Sequence, residues 1–344
     1  MQVHYPLRRG ELLVRHDGDW DRDLAPGRVD PGRSTFEFEL GDGEPYRYYK
    51  PVIRDGETLS WAQGENFLAL RGRRTAHAFP YFAPDSRCHV CDVHTVPSSF
   101  DARGYDVRVF LPPGYDENTL QRFPALYMQD GPNLFFPDEA YAGVHWRVSE
   151  TLTLLDSMNL IRQLVVVGVY PRDRMREYTA PGYGSYVAFL AGELKPWVDG
   201  HYRTSPEPAD TAVLGSSLGG VVSLYAGWER PDAFGKVGCM SSTFGYRDDL
   251  FERVCREAKR PLRIYLDSGW PRDNYEVTRS MRAALRLRGY RPGRELLYVA
   301  FPEGRHAEDS WASRMHLPLQ FFWGEDAPSA PPVRPLQPHF PEVA

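Results

Sequence analysis

Val213-Leu214-Gly215-Ser216-Ser217-Leu218-Gly219-Gly220-Val221-Val222 is the stretch that decides the fold. An apolar run from Thr211 to Leu214 predicts a buried strand that stops at Gly215. The small and apolar run from Leu218 to Ala226 predicts a helix. Ser217 is then left on a sharp turn between strand and helix, in a G-x-S-x-G pattern made by Gly215, Ser217 and Gly219. Glycines suit such a turn because a backbone that doubles back has no room for side chains beside it. The turn lifts a serine hydroxyl above the sheet edge and leaves the Leu218 amide free to donate to a developing oxyanion.

Working outward in both directions, strands and helices alternate. Strands are predicted at Cys88–Val96, Asp106–Leu111, Ala125–Met128, Leu164–Tyr170, Val237–Ser241, Leu262–Leu266 and Leu296–Phe301. Helices are predicted at Val144–Leu155, Tyr186–Val198, Asp249–Ala258, Val277–Leu287 and Glu308–Phe322. Such alternation implies an α/β fold with a doubly wound, mainly parallel sheet. The first 85 residues differ. Ser34–Leu40 and Tyr46–Ile53 alternate polar and apolar, Gly41-Asp42-Gly43 and Asp55-Gly56 read as turns, and no helix is evident. This segment predicts a small β-sandwich. It loosely resembles the early-set immunoglobulin-like domains fused to some esterases and glycan-active enzymes, and is expected to form one wall of the cleft. His77–Arg87 reads as a linker, and the proline-rich run past Trp323 as a disordered tail. The expected division is 1–85, 86–324 and 325–344.

Composition narrows the classes of function. The chain has 344 residues, a formal net charge of −5 and 42% apolar residues. This gives a sizeable core and no signature of nucleic-acid or membrane binding. No apolar run reaches membrane-spanning length and the N-terminus lacks an apolar signal region, so a cytoplasmic protein is expected. Cys88, Cys91, Cys239 and Cys255 do not suggest a disulfide framework. Cys88-His89-Val90-Cys91 mimics a metal site, but on one strand the two thiols point to opposite faces, so neither a metal nor another cofactor is expected.

A nucleophilic serine requires a base and a group to orient it. His306, just after the last predicted strand, stands where the base is needed; His316 falls inside the last helix and His339 in the tail. The loop after Leu266 offers three acids. Asp273 lies mid-loop with the best reach, Asp267 lies at the strand end, and Glu276 falls in the first turn of the next helix. The second oxyanion donor is expected from Asp130-Gly131-Pro132-Asn133-Leu134. Pro132 has no N–H, leaving Gly131, Asn133 or Leu134. Arg172, Arg174 and Arg176 crowd the loop after the fourth strand. They read either as a solvated loop or, for Arg174 and Arg176, as a clamp for an anionic substrate.

Five separated motifs in order, Leu126–Phe135, Glu177-Tyr178-Thr179, Glu193–Pro196, Gly215–Gly220 and Gly304-Arg305-His306 with Trp311, resemble the esterase D/enterochelin-esterase group of α/β-hydrolases. That group includes ferric-enterobactin, feruloyl and acetyl-xylan esterases, S-formylglutathione hydrolases and mycolyltransferases. The chain departs from it in an acid loop one residue longer between glycine and acid, and in Pro132 where glutamine is common. The resemblance implies a serine carboxylester hydrolase working through Ser217, His306 and an acid, on a small-molecule ester that is anionic or sugar-linked. The rival readings are acyl transfer on the same fold and a non-catalytic carbohydrate-binding or interaction protein.

Overall fold

The computed structural model describes residues 1–41, 44–71 and 76–324. The alternating segments build one nine-stranded sheet. Its strands are β1 (His89–Val90), β2 (His94–Val96), β3 (Tyr105–Leu111), β4 (Ala125–Met128), β5 (Val165–Val169), β6 (Thr211–Ser216), β7 (Lys236–Met240), β8 (Arg263–Trp270) and β9 (Leu296–Pro302). They lie in the order β1-β3-β5-β4-β6-β7-β8-β9, with β2 also on β3. The six strands β4 to β9 are parallel, and β3 runs antiparallel to β5, β1 and β2. Every residue of β5, β6 and β7 is buried, as strands covered on both faces must be.

The period of two along each strand divides the core. One face packs Tyr127, Val167, Val213 and Val237 against α3 (Tyr183–Phe189), α4 (Lys195–His201), α5 (Leu218–Glu229), α6 (Leu250–Arg256) and α7 (Tyr275–Leu287). The other packs Leu126, Val166, Leu214 and Tyr265 against α1 (Val148–Ser157), α8 (Glu308–Arg314) and α9 (His316–Trp323). The short α2 (Arg174–Glu177) follows β5.

Several expected boundaries shift for local reasons. The strand expected over Cys88–Val96 is two short strands, and its thiols part as anticipated: Cys88 packs with one core cluster and Cys91 with the other. The helix expected from Val144 begins at Val148, after a 3₁₀ turn at Tyr141–Gly143 and Arg147 at φ 54°. The last helix divides at Met315, because Pro318 cannot donate back to the preceding turn. No helix among the described residues is long and apolar enough to cross a membrane.

The N-terminal segment forms two sheets. One holds Arg28–Val29, Thr35–Glu37, Gln2–His4 and His77–Ala78; the other holds Asp19–Leu24, Glu11–His16, Tyr46–Asp55, Thr58–Trp61 and Phe67–Leu70. Val3, Leu12, Val14, Phe36, Phe38 and Tyr49 share one cluster between them, as in a sandwich. The stretch expected as a linker thus begins with a strand, paired in parallel with Gln2–His4. Asp42 and Gly43 of the expected turn, and the tail with His339, lie outside the described residues.

Contrary to the expectation of a cleft wall, the described residues of the sandwich dock at the other end of the sheet. It docks through Glu117, which accepts from the Tyr5 hydroxyl at 3.0 Å and the Phe82 amide at 2.7 Å, and through Asn118, which donates to the carbonyls of His4 and Pro80 at 2.9 Å. Asn159 donates to the Asn66 carbonyl at 3.0 Å. Those residues follow β3 and α1, at the sheet edge where β4 and β5 begin. Ser217 stands at the opposite edge, where the parallel strands end.

Candidate active site

Ser217 joins β6 to α5 at φ 54° and ψ −122°, a strained conformation for a residue with a side chain. Its amide donates to the Met240 carbonyl at 2.9 Å, which ties the turn to β7. The glycine requirement is literal here: a Cβ on Gly215 would lie 2.6 Å from the carbonyl of Gly219. The Leu218 amide opens α5 and has no partner within the helix.

His306 follows β9 and comes into contact with the loop after β8. Its Nδ1 lies 2.7 Å from Asp273 Oδ1. The carboxylate is fully buried and the imidazole is about one-third exposed. Edge-on packing against Trp311, with ring centroids 5.0 Å apart, fixes the imidazole from the other side. Gly269 lets the two loops meet, since a Cβ there would stand 2.0 Å from the Gly304 carbonyl oxygen. The long acid loop folds back on itself, and Asp273 Oδ2 accepts from the Gly269 amide at 2.8 Å and the Ser241 hydroxyl at 2.5 Å. Burial disfavours the Asp273 charge, but the hydrogen bonds from His306, Ser241 and Gly269 outweigh it and hold the carboxyl below its usual range. Among the described residues no hydrogen bond joins the Ser217 hydroxyl to the His306 ring.

The other two acids are placed elsewhere. Asp267 is fully buried and faces Arg314, whose Nε and Nη2 approach its two oxygens at 3.2 and 3.1 Å. Burial pushes its pKa up to about 6 against the pull of Arg314. Glu276 is exposed in the first turn of α7. Neither bonds to His306.

In the loop after β4, Asp130 takes the left-handed conformation at φ 56°, followed by a 3₁₀ turn. The Asn133 amide donates to the Asp130 carbonyl at 2.9 Å, and the Leu134 amide to the Gly131 carbonyl at 3.3 Å. This corrects the expectation for Asn133: an N–H already engaged is not free for an oxyanion. Among the described residues the Gly131 amide makes no hydrogen bond, so it is the loop's open donor.

The three arginines separate. Arg172 pairs with Asp106 at 3.1 Å. Arg174 grips Asp130 with Nε and Nη2, at 2.8 and 3.1 Å, and is thereby engaged by the protein itself. Arg176 is exposed, and among the described residues its side chain has no ion-pair partner. Ser241 and Arg314 were not foreseen. Ser241, at φ 45°, links Asp273 to Arg314, which donates to its hydroxyl at 2.7 Å. Only an arginine inside the apolar run of the last helix hinted at a buried charge.

Residues 99–316 match the sequence profile of the family described as "Putative esterase". The chain belongs to this esterase family. Among curated proteins it is 28% identical over 181 residues to the uncharacterized protein YbbA of Bacillus subtilis, covering 47% of this chain and 66% of that one. It is 22% identical over 298 residues to an endo-1,4-β-xylanase/feruloyl esterase of Xylanibacter ruminicola, covering 82% of this chain and 38% of that protein. It thus spans less than two thirds of the length of either of these relatives. The enterobactin esterase FES of Shigella flexneri superposes with a TM-score of 0.58 at 17% identity, covering 94% of this chain and 92% of that one. A ferulic acid esterase superposes with a TM-score of 0.59 at 18% identity, covering 70% of this chain and 98% of that one. At such identities the likeness is one of fold.

Proposed function

We propose that this esterase-family member is a serine carboxylester hydrolase acting through Ser217, His306 and Asp273 and a covalent acyl-enzyme. The observation that carries the reading is the 2.7 Å pair of His306 Nδ1 with buried Asp273, on loops at the same sheet edge as the strained Ser217 turn. With Nδ1 held by Asp273, Nε2 is the free basic nitrogen. In the reaction Ser217 Oγ attacks the acyl carbon and its proton passes to His306 Nε2. The oxyanion is held by the amides of Leu218 and Gly131. His306 returns the proton to the leaving alcohol, and a water activated by the same imidazole releases the acid.

The fold neighbours act on enterobactin and ferulic acid esters, as their names state, and we extend esters of aromatic acids to this chain. Exposed Trp270 ends β8, and exposed Met175 and Tyr246 follow β5 and β7, so all three put apolar surface at the Ser217 edge. With Arg174 engaged, recognition of an anionic group falls to Arg176. The test is hydrolysis of a panel of p-nitrophenyl, feruloyl, acetyl-sugar and catecholate-lactone esters by the wild type and Ser217→Ala. The proposal expects aromatic-acid esters to lead, with turnover in Ser217→Ala reduced by several orders of magnitude. Equal turnover by the two proteins rejects it.

A further inference from the structure

The Arg174–Asp130 pair lies beside the reacting centre, and both donors on that edge of the guanidinium are spent on one carboxylate. Asp130 precedes Gly131, whose amide is open, and sits at φ 56° and ψ 48°. Its own amide donates to the Tyr178 hydroxyl at 3.1 Å, and the Arg174 guanidinium lies over the Tyr178 ring at 5.3 Å. Arg174 therefore holds the turn at two points, the carboxylate and the ring that receives the amide. The carboxylate also reaches the nucleophile helix: Asp130 Oδ2, the oxygen that accepts from Nη2, stands 3.2 Å from where a Cβ on Gly219 would be. The N-terminus of α5 attracts anions. An uncompensated Asp130 would compete there with the oxyanion forming against the Leu218 amide, and would repel it.

We infer that Arg174 and Asp130 form a charge-cancelling latch, in which Arg174 fixes the turn that presents the Gly131 amide and removes the Asp130 charge from the oxyanion's end of α5. Arg174 is a positioning residue on this account and does not clamp substrate. The inference rests on the proposed oxyanion site and deepens it. The oxyanion is absent from the bound ester and forms only in the tetrahedral intermediate and its flanking transition states, so the latch acts on kcat and leaves KM nearly unchanged.

The experiment uses the full chain, a small neutral ester (p-nitrophenyl acetate), an anionic aryl ester, and a fluorophosphonate whose phosphoryl oxygen enters the same hole. Wild type, Arg174→Ala and Arg174→Ala/Asp130→Asn are compared, with thermal melts confirming folding. Arg174→Ala is expected to lower kcat on the neutral ester by about 10- to 100-fold, near the effect of one oxyanion donor, with KM moving less than about threefold. Labelling of Ser217 slows in parallel. Removing the Asp130 charge in the double variant restores at least about threefold of the lost kcat, because no anion then competes at the helix end. Loss confined to KM on the anionic ester would make Arg174 a substrate clamp and overturn the latch. So would an unchanged kcat, or no recovery in the double variant. If the wild type neither hydrolyses any ester nor labels at Ser217, the esterase mechanism itself fails; an active wild type with an indifferent Arg174→Ala defeats the latch alone.

Discussion

Asp267 and Asp273 lie six residues apart and are both fully buried, yet their removal should do opposite things. Asp273 bonds His306 at 2.7 Å and fixes which ring nitrogen is basic. Asp273→Asn is therefore expected to lower kcat by up to about 10⁴-fold, as loss of the orienting acid does, or about 5 kcal/mol of transition-state stabilisation. Folding should change less, since an amide of the same shape still accepts from the Gly269 amide and the Ser241 hydroxyl. Asp267 has no contact with His306 and instead answers Arg314, which is 1% exposed. Asp267→Asn takes the nearer of two carboxylates from that guanidinium and leaves Asp273 Oδ2 at 3.6 Å as its remaining counter-charge, a loss on the order of 3 kcal/mol, against a total stability of roughly 5–15 kcal/mol. The melting temperature should drop by about 10 °C, while kcat per folded molecule stays within about tenfold of wild type. Urea unfolding and p-nitrophenyl ester kinetics on the same preparations separate the two. The assignment is refuted if Asp267→Asn is the variant that loses kcat, or if Asp273→Asn remains within tenfold of wild type.

Gly269→Ala should abolish activity and lower stability by more than about 2 kcal/mol, because its methyl would overlap the Gly304 carbonyl and push the acid and base loops apart; a fully active, stable variant would show that the loops need not touch. Asp273 lies below its ordinary value of 3.8, so its contribution to stability is complete above that value and is lost as pH falls through the lower folded-state value. Below about pH 4 the urea midpoint of the wild type should drop, with a shallower drop in Asp273→Asn; equal slopes would contradict the shift. Arg176→Ala should weaken kcat/KM for an anionic aryl ester by about 1–3 kcal/mol and leave p-nitrophenyl acetate unaffected; equal loss on both would assign the arginine a structural role.

What the sequence disclosed, it disclosed through local constraints. The turn at Ser217 was legible because Gly215 and Gly219 are required within five residues of each other. The strands were legible because β5, β6 and β7 are apolar along their whole length. His306 could be placed because the chain order of strand, loop and helix fixes which sheet edge it occupies. The choice among Asp267, Asp273 and Glu276 was not decidable locally. It depended on a back-fold from Gly269 to Asp273 and on Arg314, distant in sequence, neutralising Asp267. Arg174 was misleading for the same reason: its partner Asp130 lies 44 residues away. Whether the Asn133 amide was free depended on a single 3₁₀ hydrogen bond. The place of the N-terminal sandwich was hidden because Glu117 and Asn118, which hold it, look like ordinary loop residues.

The most direct test of the central claim is the site of covalent attachment. The full chain is treated with a fluorophosphonate, digested and mapped by mass spectrometry, alongside His306→Ala and Asp273→Asn. One modified residue is expected, Ser217, with labelling slowed strongly in both variants because the base and its orienting acid activate that hydroxyl. Modification at Ser216 or elsewhere, or labelling of Ser217 at an undiminished rate without His306, would contradict it.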